Sequence, residues 1–487
     1  MLKKNKEKRE SRKEKKERKK SITKFKKKEK EKKVVDKGTV FKRRFKFVLI
    51  ISILIIAIEL IIMYLMNVNK NNNLTFVDTY NSVRSYDDYY IASGASNFKY
   101  SRYNDSFIYE YTDTNVEGEP KREAYAEQAK LVKYDKELNT IFESTFMGDY
   151  DSTFYDAISV GNDIYAVGSY IYEESQISLR TRDGLFVKYN ENGEMEWFKN
   201  FQVLGDTEFK RIMAVDDGFI VVGQSIYENM EIGNHATGGG IIIKYDMDGN
   251  IVWNNNFGGN KSGIFNDVVK VDDGYICVGK DAVNYGLIVK FSLDGELVWI
   301  KNYANTDEFG MSKVALHDNK LYIAGAYNKS KEKNDSGEAI FEYDACIFVY
   351  DLNGEFIELY SIGGNKSERF NSLLLTDDSI IAVGYTKSDD IDINGLNYRK
   401  DKIEGMIVSF DYKGNILNKK TYGGTNNESL NDITLSIPDT SDLINNTNSY
   451  IAVGYSNSKR GVFTGNGKDF FSKIIRYSTD LNILEEK

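Results

Sequence analysis

The sequence predicts an all-β fold built from repeated four-stranded units, and three observations support this prediction. The 487 residues include 34 Tyr, 27 Phe and 39 Gly but only 2 Pro, and aromatic and β-branched residues favour pleated, half-buried strands. A short apolar run that ends in Gly recurs seven times after residue 75. A second apolar run follows each copy and leads into a turn that is typical of a β-hairpin.

The first repeated run, for example Ile-Val-Val-Gly or Ile-Ala-Val-Gly, supplies one marker glycine per unit. The seven marker glycines are Gly94, Gly168, Gly223, Gly279, Gly325, Gly384 and Gly454. The second run ends in Lys-Tyr-Asp or a variant, and in five copies a Gly lies three residues later. Three of these five copies are Asp-x-x-Gly segments, which begin at Asp246, Asp351 and Asp411. We interpret them as turns in which Asp caps the backbone and Gly takes a positive φ, rather than as metal sites.

Each unit contains two hairpins and therefore four strands. In the fourth unit, 266–272 is expected to pair with 275–279, and 287–291 with 296–302. Four-stranded antiparallel units repeated in this way predict a β-propeller of about seven blades over residues 75–487, with six or eight as alternatives. The marker glycines are 46 to 74 residues apart, so we expect enlarged loops between the second and third strands. Because the last unit ends soon after Leu484, ring closure could use a strand from the start of the array.

The marker Lys-Tyr-Asp-x-x-Gly-x-x-x-Trp is accompanied by Phe-Gly-Gly-Asn-Lys-Ser at 257–262 and Ile-Gly-Gly-Asn-Lys-Ser at 362–367. Together these segments resemble the β-propeller repeats that are common in secreted and surface-anchored bacterial proteins. The resemblance covers about residues 75–487. It implies a propeller exposed at the cell surface and implies little about chemistry.

Residues 47–66 are 20 mostly apolar positions, and a helix of this length spans about 30 Å, the thickness of a bilayer core. The segment lacks the small-residue cleavage site of a signal peptide, so it is predicted to be an uncleaved transmembrane signal anchor. The positive-inside rule keeps its basic flank in the cytoplasm. We therefore expect a single-pass protein of the cell membrane, with a linker at 67–74 and an extracytoplasmic propeller.

Glu59 lies inside the predicted span, where an ionised carboxylate costs roughly 2.5 kcal/mol or more. One interpretation is a contact with a partner helix, on the face that also carries Ser52. The other is a protonated carboxyl group that a very apolar helix tolerates.

The tail, residues 1–46, holds 24 Lys/Arg and 7 Asp/Glu, whereas residues 47–487 hold 41 and 66. Its Lys/Glu-rich part has almost no apolar residues and is predicted to be disordered or transiently helical. It could approach an anionic leaflet or act only as a topology determinant. Phe25 is the sole aromatic residue between Lys3 and Lys33, so no specific nucleic-acid binding is expected.

One loop has the oxygen-ligand spacing of a calcium site. Asp390, Asp392 and Asn394 alternate before Gly395, and Asp401 lies eleven residues after Asp390. The alternative is an Asp-rich, solvated loop. No other cofactor is predicted, and the two histidines, His235 and His317, do not have metal-ligand spacing.

Catalytic motifs of the Gly-x-Ser-x-Gly or phosphate-loop kind are absent. The three tryptophans, Trp197, Trp253 and Trp299, are expected to pack between blades, with a stacking platform for sugars or a quinone as the alternative. Cys277 and Cys346 are expected to be buried thiols, with a disulfide as the alternative. The predicted function is a non-enzymatic binding module for a protein or glycan. An envelope scaffold or sensor that associates through its transmembrane helix is the second hypothesis, and an extracytoplasmic enzyme is the third.

Overall fold

The computed structural model describes part of residues 16–27 and most of residues 78–487. The gaps are 18, 22, 25, 98–126, 147–150, 174–179, 202–205, 228–236, 258–262, 282, 284, 304–305, 307–309, 330–341, 389, 392–401, 439–448 and 459–469. The chain divides into two compact units, Met1–Thr75 and Phe76–Lys487.

In the first unit, the described residues between Lys16 and Lys27 have helical backbone and exposed side chains. Lys and Glu have high helix propensity, which accounts for this conformation in a segment predicted to be disordered or transiently helical. The predicted span at 47–66, with Glu59, lies outside the described residues. No helix within the described part of the chain is long and apolar enough to cross a bilayer. The membrane anchor therefore stays a prediction.

The second unit contains 28 described strands. In chain order they are β1 (Asp78–Ser85), β2 (Tyr89–Asn97), β3 (Glu127–Asp135), β4 (Thr140–Phe146), β5 (Ser152–Val160), β6 (Asp163–Glu173), β7 (Arg180–Tyr189), β8 (Met195–Phe201), β9 (Thr207–Val215), β10 (Gly218–Tyr227), β11 (Thr237–Tyr245), β12 (Ile251–Phe257), β13 (Ile264–Val271), β14 (Gly274–Lys280), β15 (Gly286–Ser292), β16 (Leu297–Tyr303), β17 (Lys313–His317), β18 (Lys320–Asn328), β19 (Tyr343–Asp351), β20 (Phe356–Ile362), β21 (Glu368–Leu375), β22 (Ile380–Thr386), β23 (Glu404–Phe410), β24 (Ile416–Tyr422), β25 (Glu428–Leu435), β26 (Tyr450–Ser456), β27 (Phe471–Tyr477) and β28 (Ile483–Glu486).

These strands form seven separate four-stranded antiparallel sheets, each made of four consecutive strands, which we number blades 1 to 7 in chain order. The prediction of seven blades is confirmed. Long separations between second and third strands occur in some blades, for example from Asn97 to Glu127, but not in all, since β15 begins at Gly286 soon after β14 ends at Lys280. The expectation of a borrowed strand at ring closure is wrong. The short strand β28 pairs with β27 and completes the last blade by itself. Blades 7 and 1 therefore meet by side-chain packing and hydrogen bonds, such as Asn431 Nδ2 to the Tyr80 carbonyl oxygen at 2.7 Å.

The core lies between neighbouring blades. Seven buried apolar clusters hold the ring together, and each draws side chains from two adjacent sheets. Phe186 of blade 2 and Tyr245 of blade 3, for example, have ring centroids 5.0 Å apart. Cys277 and Cys346 are buried free thiols in this core. Their predicted structural role is confirmed, and the alternative of a disulfide between them is wrong.

The outer hairpins confirm the predicted role of the Asp-x-x-Gly turns. The Asp246 carboxylate accepts hydrogen bonds from the backbone N–H groups of Asp248 and Asn250, at 3.0 and 2.8 Å, and Gly249 has a φ of 74°. A Cβ on Gly249 would lie 2.6 Å from the Trp197 ring of the preceding blade. Trp253 and Trp299 contact the turn glycines of blades 4 and 5 in the same way. The tryptophans therefore pack between blades, as predicted.

Candidate ligand site at the channel mouth

The first strand of each blade, which we call the inner strand, lines the central channel. In most inner strands a β-bulge places one side chain at the channel wall. In six inner strands the pairing with the second strand of the same blade shifts by one residue. The shift lies opposite the marker glycine of that second strand. A Cβ on Gly384 would lie 1.9 Å from the Arg369 carbonyl oxygen, so a glycine is needed for this close approach. The bulged residues line the channel, and they are Asn81, Tyr155, Lys210, Asn266, Asn371 and Asn431.

Blade 5 departs from this pattern. Its inner strand β17 pairs with β18 without a register shift, and a Cβ on Gly325 would lie 3.1 Å from the nearest atom, the Gly310 carbonyl oxygen. Ser312, just before β17, occupies the equivalent place at the channel wall.

The bulged residues link the blades in a belt of hydrogen bonds. Four asparagines and Ser312 each donate a side-chain hydrogen bond to a backbone carbonyl oxygen of the next blade, over distances of 2.7 to 2.9 Å. The bonds are Asn81 to Phe154, Asn266 to Met311, Ser312 to Phe370, Asn371 to Leu430 and Asn431 to Tyr80. Because each bond joins a side chain to the backbone of the next blade, these side chains are held in fixed positions around the axis.

Below this belt, a cluster of charged side chains crosses the channel. We call the six residues Arg84, Asp156, Arg211, Asp267, Lys313 and Asp432 the axial ion cluster. Its three cations and three carboxylates balance in formal charge. Arg84 Nη2 lies 2.7 Å from the Asp156 carboxylate. Arg211 Nε lies 3.0 Å from Asp267, and Arg211 Nη1 lies 3.7 Å from Asp432 on the far side of the ring.

The carboxylates of this cluster also tie blades together. Asp156 accepts a hydrogen bond from the backbone N–H of Ile212 in the next blade at 3.2 Å. Asp267 and Asp432 repeat the arrangement with the backbone N–H groups of the blades that follow them, at 2.9 and 3.1 Å. All three carboxylates are buried, and such groups are stable only when they are paired and hydrogen-bonded.

Two cavities lie along the axis, and both have Arg211 and Lys313 in their walls. The narrow cavity, of about 310 Å³, lies where the inner strands end. The wide cavity, of about 860 Å³, lies at the end of the channel where the inner strands begin. Besides the bulged residues, its wall includes Lys280, Tyr343, Tyr385, Lys387 and Tyr455. We call this space the channel-mouth cavity.

Two buried glutamates anchor the loops that enter blades 6 and 7 at this mouth. Glu428 accepts hydrogen bonds from the hydroxyl groups of Ser456 and Ser458 and from the backbone N–H of Gly424. Glu368 makes the equivalent contacts in blade 6. Burial raises the pKa of Glu368 and raises the pKa of Glu428 to about 7.

The predicted calcium loop is only partly described. The Asp390 carboxylate accepts a hydrogen bond from the backbone N–H of Asn365 at 2.9 Å. Asp392, Asn394 and Asp401 lie outside the described residues, so the calcium site stays a prediction. Among the described residues, no group of three or more His, Cys, Asp or Glu side chains could hold a metal ion.

The channel-mouth residues were not singled out by the sequence analysis, although a signal for them exists. In six units the bulged residue or Ser312 lies thirteen residues before the marker glycine; in the last unit a longer first hairpin makes this twenty-three. The position is Asn in four units. A polar residue that recurs at a fixed distance before a structural glycine therefore indicates a side chain that lines the central channel.

Comparisons with known proteins assign no family to this chain. No family model matches the chain, and no curated protein does. Matching solved structures include YjhT (11% identity, TM-score 0.38, covering 71% of this chain and 98% of that one). Others are Kuenenia stuttgartiensis hydrazine synthase (9%, 0.41, 73% and 93%) and a Bombyx mori GH32 β-fructofuranosidase (10%, 0.30, 81% and 85%). Similarity of this extent assigns no activity to the chain, whose fold is that of a seven-bladed β-propeller.

Proposed function

We propose that this chain is a non-enzymatic binding protein that holds a hydroxyl-rich ligand, a glycan, in the channel-mouth cavity. The observation that carries the proposal is the cavity itself, which is concave, lined mostly by Asn, Ser, Tyr, Lys and Arg residues, and about 860 Å³ in volume. Ligand sites in proteins have volumes of about 300–1,000 Å³. A protein partner would instead need roughly 800 Å² of matching surface.

The lining chemistry favours a saccharide. Amide side chains donate and accept hydrogen bonds, as sugar hydroxyl groups do. Tyr155, Tyr343, Tyr385 and Tyr455 add aromatic rings that combine an apolar face with a hydroxyl group. No described residue donates a hydrogen bond to the side-chain oxygens of Asn81 and Asn371, which are therefore acceptors available to a ligand.

The belt of hydrogen bonds between blades supports binding in a second way. It fixes the asparagine side chains before any ligand arrives. A site that is already ordered loses less conformational entropy on binding, so more of the interaction energy appears as affinity.

A glycan panel tests the proposal. The purified full-length protein is applied to immobilised neutral and acidic saccharides, alongside Tyr385→Ala and Tyr285→Ala variants. Tyr385 lines the cavity, whereas Tyr285 is exposed and does not. We expect saccharide binding that Tyr385→Ala weakens about tenfold and Tyr285→Ala leaves unchanged. Absence of binding to every saccharide, or an equal loss in both variants, contradicts the proposal.

A further inference from the structure

Electric charge distinguishes the channel-mouth cavity from the rest of the propeller. Among the residues that the structure describes, six basic side chains line it, against the two carboxylates of Glu368 and Asp432. Residues 47–487 as a whole contain 41 basic and 66 acidic residues. The axis of an acidic protein therefore opens into a basic cavity. The six basic residues are Lys210, Arg211, Lys280, Lys313, Arg369 and Lys387.

Part of this positive charge is balanced within the protein. Arg211 and Lys313 belong to the axial ion cluster, and Lys210 Nζ lies 2.6 Å from the Glu208 carboxylate. Lys280, Arg369 and Lys387 lie outside that cluster. Lys387 is exposed, and within the described part of the chain its ammonium group forms no ion pair; it lies 6.0 Å from the Tyr385 ring centroid.

The two carboxylates in the described wall are both engaged by other groups of the protein. Asp432 is engaged by the axial ion cluster and by the Ser372 hydroxyl group, which donates to it at 2.6 Å. Glu368 is 1% exposed and accepts hydrogen bonds from two hydroxyl groups and the Gly364 backbone N–H. Its carboxylate is thus turned into the protein and serves to hold the entering loop.

The floor of the cavity supports the same conclusion, that the cavity suits a negatively charged ligand. Arg211 is 7% exposed, and its Nη2 has no hydrogen-bond acceptor among the described residues. A buried guanidinium donor without an acceptor is costly. Water or a ligand oxygen at the floor would satisfy it.

We propose that the ligand of the channel-mouth cavity is an anionic saccharide, whose carboxylate groups pair with the basic wall while its hydroxyl groups bond to the Asn and Tyr side chains. The inference rests on the proposed function and narrows it from saccharides in general to acidic ones. A cleft lined by charge of one sign concentrates ligands of the opposite sign. Hydrogen bonds between Lys or Arg and a carboxylate are also roughly twice as strong as neutral ones.

Calorimetry with matched saccharides tests this inference on the full-length protein. The probes are trisaccharides of galacturonate, glucuronate and mannuronate, each beside the neutral form obtained by reducing its carboxyl groups, with inorganic phosphate as a competitor. We expect at least one uronate to bind about tenfold more tightly than its neutral form. The preference should shrink as salt rises from about 0.05 to 0.5 M, because salt screens the attraction.

Two lysine variants test whether the preference for uronates arises in the channel-mouth cavity. Lys387→Gln removes a charge from the cavity, and Lys320→Gln removes one from an exposed position at the start of β18, outside the cavity. We expect Lys387→Gln to weaken uronate binding about fivefold without changing binding of the neutral form, and Lys320→Gln to change neither.

The outcomes separate the two proposals. Equal affinity for uronate and neutral forms overturns the inference and leaves the saccharide-binding function intact. Equal effects of the two lysine variants also overturn it. If phosphate competes at concentrations similar to those of the uronate, the cavity is a general anion site. That result overturns the proposal that its ligand is a saccharide. Failure of every saccharide to bind, here and on the glycan panel, overturns both proposals.

Discussion

Glu428 shows how one buried side chain holds a loop at the channel mouth. It begins the inner strand of blade 7, is 0% exposed, and gathers two hydroxyl groups and one backbone N–H around its carboxyl group. Water would solvate the ionised form better than these three donors do, so burial raises the pKa to about 7. The loop before β25 is therefore coupled to the protonation of a single group.

This coupling predicts a pH dependence of stability. Between about pH 4.5 and pH 7 the folded protein binds more protons at Glu428 than the unfolded chain does, so the free energy of unfolding falls as the pH rises through this window. The contribution is on the order of 3 kcal/mol. Glu428→Gln should remove that part of the slope. Urea unfolding of both proteins at pH 4.5, 6 and 8 measures it, and identical slopes would contradict the assignment.

Within a blade, the marker glycine of the second strand and the β-bulge of the inner strand act together to place one side chain in the channel. The glycine of the second strand lets the inner strand approach, the bulge takes up one extra residue, and that residue lines the channel. The structural glycine thus determines where a channel-lining side chain lies. Blade 5, which lacks the bulge, provides a natural control.

Alanine substitutions at Gly384 and Gly325 test this arrangement. The Gly384→Ala methyl group would lie 1.9 Å from a backbone oxygen, whereas at Gly325 the nearest atom is 3.1 Å away. We expect Gly384→Ala to lower the free energy of unfolding by about 1–3 kcal/mol, as overpacking does, and Gly325→Ala by under about 1 kcal/mol. Guanidinium unfolding of the two variants provides the measurement. Equal losses would show that the close approach does not set the register.

Some features of the propeller could be predicted from the sequence and others could not, because they depend on residues at different separations along the chain. Hairpin pairing, blade count and turn chemistry depend on residues near each other in the chain, such as Asp246 and Gly249, so local patterns indicate them. The channel-mouth cavity depends on residues as distant as Lys210 and Tyr455, which meet only when the ring closes. The balance of charge inside it also depends on pairs such as Lys210 and Glu208. No local pattern carries this information.

For the whole molecule, the axial ion cluster separates two cavities and joins opposite sides of the ring. Arg211 of blade 3 reaches Asp432 of blade 7, and the cluster balances its own charge. Breaking one buried pair in such a cluster typically costs 3–5 kcal/mol. The propeller therefore has a rigid centre.

The predicted topology can be tested because both native cysteines are buried, and burial raises the pKa of the Cys277 thiol well above its usual range. A Tyr285→Cys variant places a reactive thiol on an exposed loop of the propeller. We expect a membrane-impermeant maleimide to label it in intact cells, and to label a Ser11→Cys tail variant only after permeabilisation. The reverse pattern would overturn the predicted orientation.

The most direct test of the central claim, that the channel mouth is the ligand site, is a crystal structure of the full-length protein at a saturating concentration of the best-binding uronate trisaccharide. We expect the saccharide in the channel-mouth cavity, with a carboxylate within hydrogen-bond distance of Lys387, Lys280 or Arg369 and with hydroxyl groups bonded to the asparagines of the belt. An empty cavity, or a saccharide bound to the outer strands or in the narrow cavity, would contradict it.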